Sequence, residues 1–202
     1  MDIEKAQFFD TQATEAWASA EYTSQETEKL QEALRYAGIS SGMNIFEPGC
    51  GTGRLTRLLS DQIGSQGNLV ALDMSSGMIE VCRHRLIATN NVRLTLGAME
   101  DINLVPGYFD AVVCHNVFHH FKDKPSILQK MGDTLKPGGK FVIHYFLPFS
   151  EINSRTGKIR DVIAEDVIPV WNQMLSMLSS AGLKVTRYSD SNDGYVLQAV
   201  RS

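Results

Sequence analysis

The chain has 202 residues, 43% hydrophobic and 21% charged, which is enough for one domain with a buried core and is ordinary for a soluble globular protein. A formal net charge of −4 gives no electrostatic footprint for nucleic acid. There is no apolar run of membrane-spanning length and no leader-like N-terminus, so a cytoplasmic protein without a membrane span is expected.

Residues 1–37 read as two helical stretches. Phe8, Phe9 and Trp17 cluster on the first, while Leu30, Leu34 and Tyr36 mark a face of the second, which Thr23 or Ser24 starts. Trp17 and Tyr22 are candidates for a lid, or belong to an aromatic face that docks on the core. Strand 43–47, helix 53–63, strand 68–73, helix 76–88, strands 92–96 and 109–114, helix 126–134 and strand 140–146 then alternate. Alternation at these lengths predicts parallel strands with helices on both faces. After Pro148 a polar stretch, 150–160, precedes a helical pattern over 162–181 that Pro169 breaks or kinks in its first turns. Residues 184–189 and 195–200 read as an antiparallel pair across the turn 190–194. The expected fold is α/β and Rossmann-like: a doubly wound, mostly parallel seven-stranded sheet with an antiparallel last strand. The expected layout is one domain, with a helical extension over 1–37, a core over 38–147 and a C-terminal helix and hairpin over 148–202.

The most informative stretch is Asn44-Ile-Phe-Glu-Pro-Gly-Cys-Gly-Thr-Gly-Arg-Leu-Thr56. It reads as strand, glycine turn and helix start, where Gly49, Gly51 and Gly53 let a ligand lie against main-chain N–H groups. The alternative is a tight turn without a ligand. The next strand ends in Asp73, placed to hold ribose hydroxyls or, with Ser75 and Ser76 following, to cap the next helix. In sheets of this kind ligands bind at the carboxyl ends of the strands.

Glu47-Pro-Gly-Cys-Gly-Thr-Gly53 resembles the first motif of class I S-adenosylmethionine-dependent methyltransferases, in the small-molecule, quinone-biosynthesis-like branch. Asp73-Met74, Gly97-Ala-Met-Glu-Asp101, the strand beginning Phe109-Asp-Ala and Leu135-Lys-Pro-Gly-Gly follow in the family's order. The resemblance implies S-adenosyl-L-methionine as cofactor. It places the methionine portion on the backbone at Gly49, Cys50 and Gly51, and the ribose on Asp73. Adenine falls between Met74 and Met99 with Glu100 at its edge, while Glu47 organises the turn or reaches the methionine amine, which the main chain at His115 borders. Ala98 stands where the family often has an acid for the adenine amino group, leaving Glu100 or Asp101 to substitute.

Past the fourth strand, Cys114-His-Asn-Val-Phe-His-His-Phe121 offers His119 and His120 as catalytic bases, against a packing role at the start of the following helix. His144 is a further substrate-site candidate or a buried, satisfied histidine; Tyr145, its neighbour on the strand, must face the other way. Cys50, Cys82 and Cys114 are odd in number and lack metal-ligand spacing, so free thiols and no metal are expected. The resulting expectation is methyl transfer to a small-molecule acceptor of unspecified atom, by a monomer or homodimer. An NAD-dependent oxidoreductase, which calls for a parallel final strand, and a non-catalytic cofactor-binding protein are the rivals.

Overall fold

A computed structural model describes residues 2–156 and 162–202. The chain divides into two compact units, Met1–Asn103 and Leu104–Ser202. The described residues include seven strands of one mixed sheet.

In the first unit, α1 (Ile3–Gln12) starts where the Asp2 carboxylate accepts the Lys5 N–H at 3.1 Å. A separate short helix, α2 (Ala16–Ser19), carries Trp17, so the predicted first helical stretch is in fact two helices. Trp17 is 56% exposed, with its indole N–H donating to Gln12, and it does not dock on the core. Thr23 and Glu26 form a reciprocal capping box at the start of α3 (Ser24–Tyr36). Leu30 and Leu34, one turn apart, are buried, but Tyr36 falls off that stripe and is exposed.

Strands β1 (Asn44–Pro48), β2 (Asn68–Asp73) and β3 (Val92–Leu96) are parallel in the order β3-β2-β1. Crossover helices α4 (Arg54–Ile63) and α5 (Ser76–Arg85) connect them. Ile45, Phe46, Leu69, Ala71 and Leu72 are all buried, as consecutive residues must be in strands covered on both faces. Leu55, Leu59 and Ile63, at four-residue spacing, form the inner stripe of α4. Helix α5 stops at Arg85, short of the predicted 88, because Leu86 leaves helical geometry.

In the second unit, β4 (Phe109–His115) runs into a 3₁₀ turn at Phe118–His120. Helix α6 (Lys124–Thr134) starts earlier than predicted, capped by Asp123 with Pro125 in its first turn. It leads to β5 (Leu135–Tyr145), which begins five residues before the predicted 140 by pairing Leu135 with Phe109 ahead of a register shift. The predicted polar stretch 150–160 forms α7 (Phe149–Thr156) in its first part, and residues 157–160 lie outside the described residues. The helix expected over 162–181 is α8 (Trp171–Ser180) only, since Pro169 disfavours helical geometry in the residues before it.

β6 (Leu183–Ser191) and β7 (Gly194–Arg201) form the predicted hairpin, with the turn shortened to two residues. The order is β4-β5-β7-β6, with β4 and β5 parallel and β7 antiparallel to both its neighbours. The reversed last strand removes the main topological expectation of the NAD-dehydrogenase rival. Among the described residues no helix is long and apolar enough to cross a membrane.

Gly53 precedes α4 with φ +85°, and a Cβ there would sit 2.6 Å from the Cys82 sulfur and 3.3 Å from the Cys82 Cα. Gly53→Ala is therefore expected to cost about 2 kcal/mol or more from left-handed strain and overpacking combined. Denaturant melts of the two proteins check this; coincident midpoints would show that the turn relaxes freely.

Candidate functional site

The first unit gathers its notable residues at the carboxyl ends of three adjacent parallel strands. Glu47 lies near the end of β1, with Gly49–Gly53 just beyond it; Asp73 ends β2; Gly97–Glu100 follow β3. The Asp73 carboxylate joins these turns. Its Oδ2 accepts the Gly51 N–H at 2.8 Å and its Oδ1 the Ser75 N–H at 2.9 Å, while its own carbonyl accepts from Gly97 N at 2.8 Å. Burial pushes the Asp73 carboxyl up, and the N–H groups of Ser75, Gly51 and Met74 draw it partly back.

The expectation that the turn presents free N–H groups is not met at these positions. The N–H groups of Gly49 and Cys50 donate to the Leu72 carbonyl at 2.6 and 2.9 Å, that of Gly51 to Asp73, and that of Gly53 to the Cys50 carbonyl at 3.0 Å. A turn tied to the neighbouring strand must use its donors to make the tie. Gly51 has φ +53° and nothing within 4 Å of the position a Cβ would take, so this stretch of backbone faces open space.

Glu47 is only 2% exposed, and its Oε2 has no hydrogen-bond partner among the described residues. Burial holds its carboxyl well above the usual carboxylate range; the Thr56 hydroxyl opposes this weakly and without hydrogen-bonding geometry, and the Cys82 and Asp73 charges reinforce it. Ala98 and Met99 are buried, Met74 is half-buried and Glu100 is exposed. Cys50 and Cys82 belong to one buried cluster with Ala71, Ile79 and Leu86.

The N-terminal segment is fastened to these turns by residues that sequence reading missed. The Asp10 carboxylate accepts from Gly77 N at 2.8 Å and Ser75 Oγ at 2.6 Å, covering the start of α5. Arg85 donates to the carbonyls of Thr52 and Ser19 at 3.0 and 2.8 Å and pairs with Glu21. The Thr52 hydroxyl donates to the Ala18 carbonyl, and the Arg54 guanidinium lies 4.4 Å from the Tyr22 ring centre. Of the two lid candidates, Tyr22 is the one held against the glycine turn. These pairs lie up to 67 residues apart in the chain and left no local signal.

In the second unit the four histidines sort into two pairs. His115 Nδ1 meets the His144 carbonyl at 3.1 Å and His144 Nδ1 at 3.0 Å, and its Nε2 meets the Asn116 amide at 3.2 Å. His144 is 2% exposed, so of its two sequence readings the buried, satisfied histidine holds. Asn116, just past β4, has φ +54°, the positive φ of a non-glycine residue that often marks a functional turn.

The other pair is His119 and His120, with ring centres 3.7 Å apart. The Tyr145 hydroxyl accepts the His119 N–H at 3.0 Å and lies 2.8 Å from His119 Nδ1. His120 Nδ1 lies 2.7 Å from the Asp166 carboxylate. Burial holds the Tyr145 hydroxyl well above its ordinary value, so it remains protonated. Asp166 went unnoticed in the sequence because it falls within the helical pattern expected over 162–181 and its partner, His120, lies 46 residues away.

This order of elements, with its inserted last strand and its glycine turn tied to an acid on β2, defines the class I S-adenosylmethionine-dependent methyltransferase fold. A methyltransferase-domain family model matches residues 39–182, and the chain belongs to that family. The chain resembles curated methyltransferases of quinone biosynthesis. It is 28% identical over 144 residues to the ubiquinone/menaquinone biosynthesis C-methyltransferase UbiE of Vibrio cholerae, covering 69% of this chain and 54% of that protein. It is 34% identical over 124 residues to a demethylmenaquinone methyltransferase of Symbiobacterium thermophilum, covering 59% and 49%. The chain thus spans about half the length of these curated relatives. A SAM-dependent methyltransferase from Aquifex aeolicus shares the fold at a TM-score of 0.71 and 19% identity, over all of both chains. Geranyl diphosphate C-methyltransferase from Streptomyces coelicolor, solved with S-adenosyl-L-homocysteine, does so at 0.72 and 15%, over 88% of this chain and 76% of that one.

Glu47 yields a stability prediction whose sign follows from its raised carboxyl. The folded protein keeps the proton at pH values where the unfolded chain has lost it, so folding binds protons and stability falls as pH rises from about 4.3 toward the folded value. Glu47→Gln is expected to remove that slope and to melt higher than the parent at neutral pH, with the gap closing on acidification. Melts of both proteins between pH 4 and 8 check this; parallel curves would mean that Glu47 is ionised in the fold.

Proposed function

We propose that the chain catalyses methyl transfer from S-adenosylmethionine to a small-molecule acceptor with a quinone-type ring, in the cytoplasm, where Cys50, Cys82 and Cys114, all free, stay reduced. The observation that carries the cofactor side of this reading is the committed set of donors in the glycine turn. With the N–H groups of Gly49, Cys50, Gly51 and Gly53 already engaged, the turn has carbonyl and carboxylate acceptors to offer. A dinucleotide needs free N–H groups for its pyrophosphate. S-adenosylmethionine has no pyrophosphate; its ammonium and sulfonium need acceptors, and its one carboxylate is the only anionic group that needs donors.

The site's composition fits that ligand. Asp73, half-buried and held by two N–H groups, retains lone pairs for the ribose hydroxyls, and Glu47 has a buried oxygen without a hydrogen-bonding partner among the described residues. Met74 and Met99 suit the faces of adenine, with Ala98 and Glu100 beside them, and the Cβ-free backbone at Gly51 admits close approach. When bound, S-adenosylmethionine supplies a methyl that its sulfonium has already made electrophilic. What remains for the protein is to fix the geometry and exclude water. Asp73 and the glycine turn do the first; the N-terminal segment, fastened through Arg85, Thr52 and Asp10, serves the second. The quinone-type acceptor rests on the names of the relatives.

Calorimetric titration with S-adenosylmethionine, S-adenosylhomocysteine and NAD tests the reading; binding of NAD alone would overturn it. Asp73→Ala is expected to weaken the first two by about 1.5 to 3 kcal/mol, roughly tenfold to a hundredfold. If the methionine ammonium pairs with Glu47, binding expels the Glu47 proton. The measured heat then varies with the buffer's ionisation enthalpy in the parent and not in Glu47→Gln.

A further inference from the structure

The turn between β2 and α5, residues 73–75, is held from two sides by two carboxylates. On one side Asp73 Oδ1 accepts the Ser75 N–H at 2.9 Å, while its Oδ2 takes Gly51. On the other, Asp10 Oδ1 accepts the hydroxyl of the same serine at 2.6 Å and the Gly77 N–H at 2.8 Å. Ser75 is buried, and its Oγ also accepts the Met78 N–H at 3.0 Å, so α5 has its cap without Asp10. Asp10 is a second carboxylate brought in from the N-terminal segment, and after burial its charge adds to what raises the Asp73 carboxyl. Its close approach is built into the chain. A Cβ on Gly77 would lie 3.1 Å from the Asp10 carbonyl oxygen and 3.2 Å from the Asp10 Cα, tighter than side chains ordinarily pack. Ala13 and Ala18 share a buried cluster with Met78, and Phe9 packs against it.

We propose that Asp10 is a positioning residue for the ribose contact: by holding the Ser75 hydroxyl it fixes the Ser75 N–H, and that N–H orients the Asp73 carboxylate. This rests on the methyltransferase reading above and adds to it a residue that acts through Asp73 rather than on the ligand. The Ser75 hydroxyl has one proton, and giving it to Asp10 leaves its lone pairs for Met78, so both ends of the residue are fixed at once. Without Asp10 the turn samples other arrangements. Affinity then falls in proportion to the fraction of molecules that keep the Asp73 carboxylate in place.

The test is calorimetric titration of the full chain with S-adenosylhomocysteine, joined to amide hydrogen exchange. Asp10→Ala is expected to raise Kd about tenfold, and Asp10→Asn, whose side-chain oxygen can accept the same bonds, to stay within about twofold of the parent. In an Asp73→Ala background, Asp10→Ala is expected to add no more than about twofold. Equal factors in both backgrounds, or an Asp10→Ala protein that binds like the parent, overturn the proposal. Exchange reads the same linkage without ligand. Asp10→Ala is expected to speed exchange at the Ser75 and Gly51 amides together, roughly tenfold, while Val70 and Ala71 in β2 stay unchanged. Faster exchange throughout β2 would show general loosening and overturn the positioning role. If the variant folds poorly the parent decides: its Gly51, Ser75 and Gly77 amides are expected to exchange as one unit. A freely exchanging Gly77 amide beside protected Gly51 and Ser75 amides overturns the link. A parent that binds no S-adenosylhomocysteine instead sinks the methyltransferase reading, while exchange still decides whether Asp10 positions Asp73.

Discussion

The first unit depends on one carboxylate, that of Asp73, taking N–H groups from two different turns. Without it the glycine turn after β1 would be anchored to β2 only through the Leu72 carbonyl, and the start of α5 would lose the bond that fixes Ser75. Charge-assisted bonds of this kind are roughly twice as strong as neutral ones. Burial opposes the charge that makes them strong, which is the tension seen in the upward displacement of the Asp73 carboxyl. The arrangement is affordable because all its donors are backbone N–H groups, which have no side-chain freedom to lose.

The same economy determines what kind of ligand the turn favours. A loop whose N–H groups are turned inward presents oxygen outward, and oxygen attracts cations. Glycine-rich turns are commonly read as phosphate cradles, so the residue pattern alone does not distinguish the two cases. The distinction lies in where the amide protons go, and only the three-dimensional hydrogen bonding shows it. In the second unit a parallel distinction separates His119 from His120: identical side chains, adjacent in sequence, one committed to a tyrosine and the other to a carboxylate.

Much of the fold was legible because its signals were local. β2 and β3 run over the predicted residues, being apolar runs bounded by Asp73 and by Asn91 and Gly97. The reversed β7 was legible from its short turn. The start of α8 was not, since an apolar periodicity over 162–170 mimics a helix that Pro169 forbids, and the stretch 135–139 hid a strand behind a Pro-Gly-Gly sequence typical of loops. In the candidate site, spacing singled out Glu47, Asp73 and the glycines, and the fold brings them to the ends of adjacent strands. It did not single out Asp10, Arg85 or Asp166, because each acts on a partner tens of residues away through a contact that only the folded chain creates.

The placement of β7 has a further consequence for how the second unit assembles. Since β7 lies between β5 and β6, the edge strand β6 reaches the rest of its sheet only through the strand that follows it in the chain. β6 can therefore join the sheet only with or after β7, which must itself first reach β5. Contacts such as Tyr145 with Tyr195, fifty residues apart, form late in a search of this kind. Until then the free side of β5 is an open strand edge, able to pair with a hairpin from another copy of the chain. The insertion that completes the sheet thus also makes its last step the one most exposed to domain swapping.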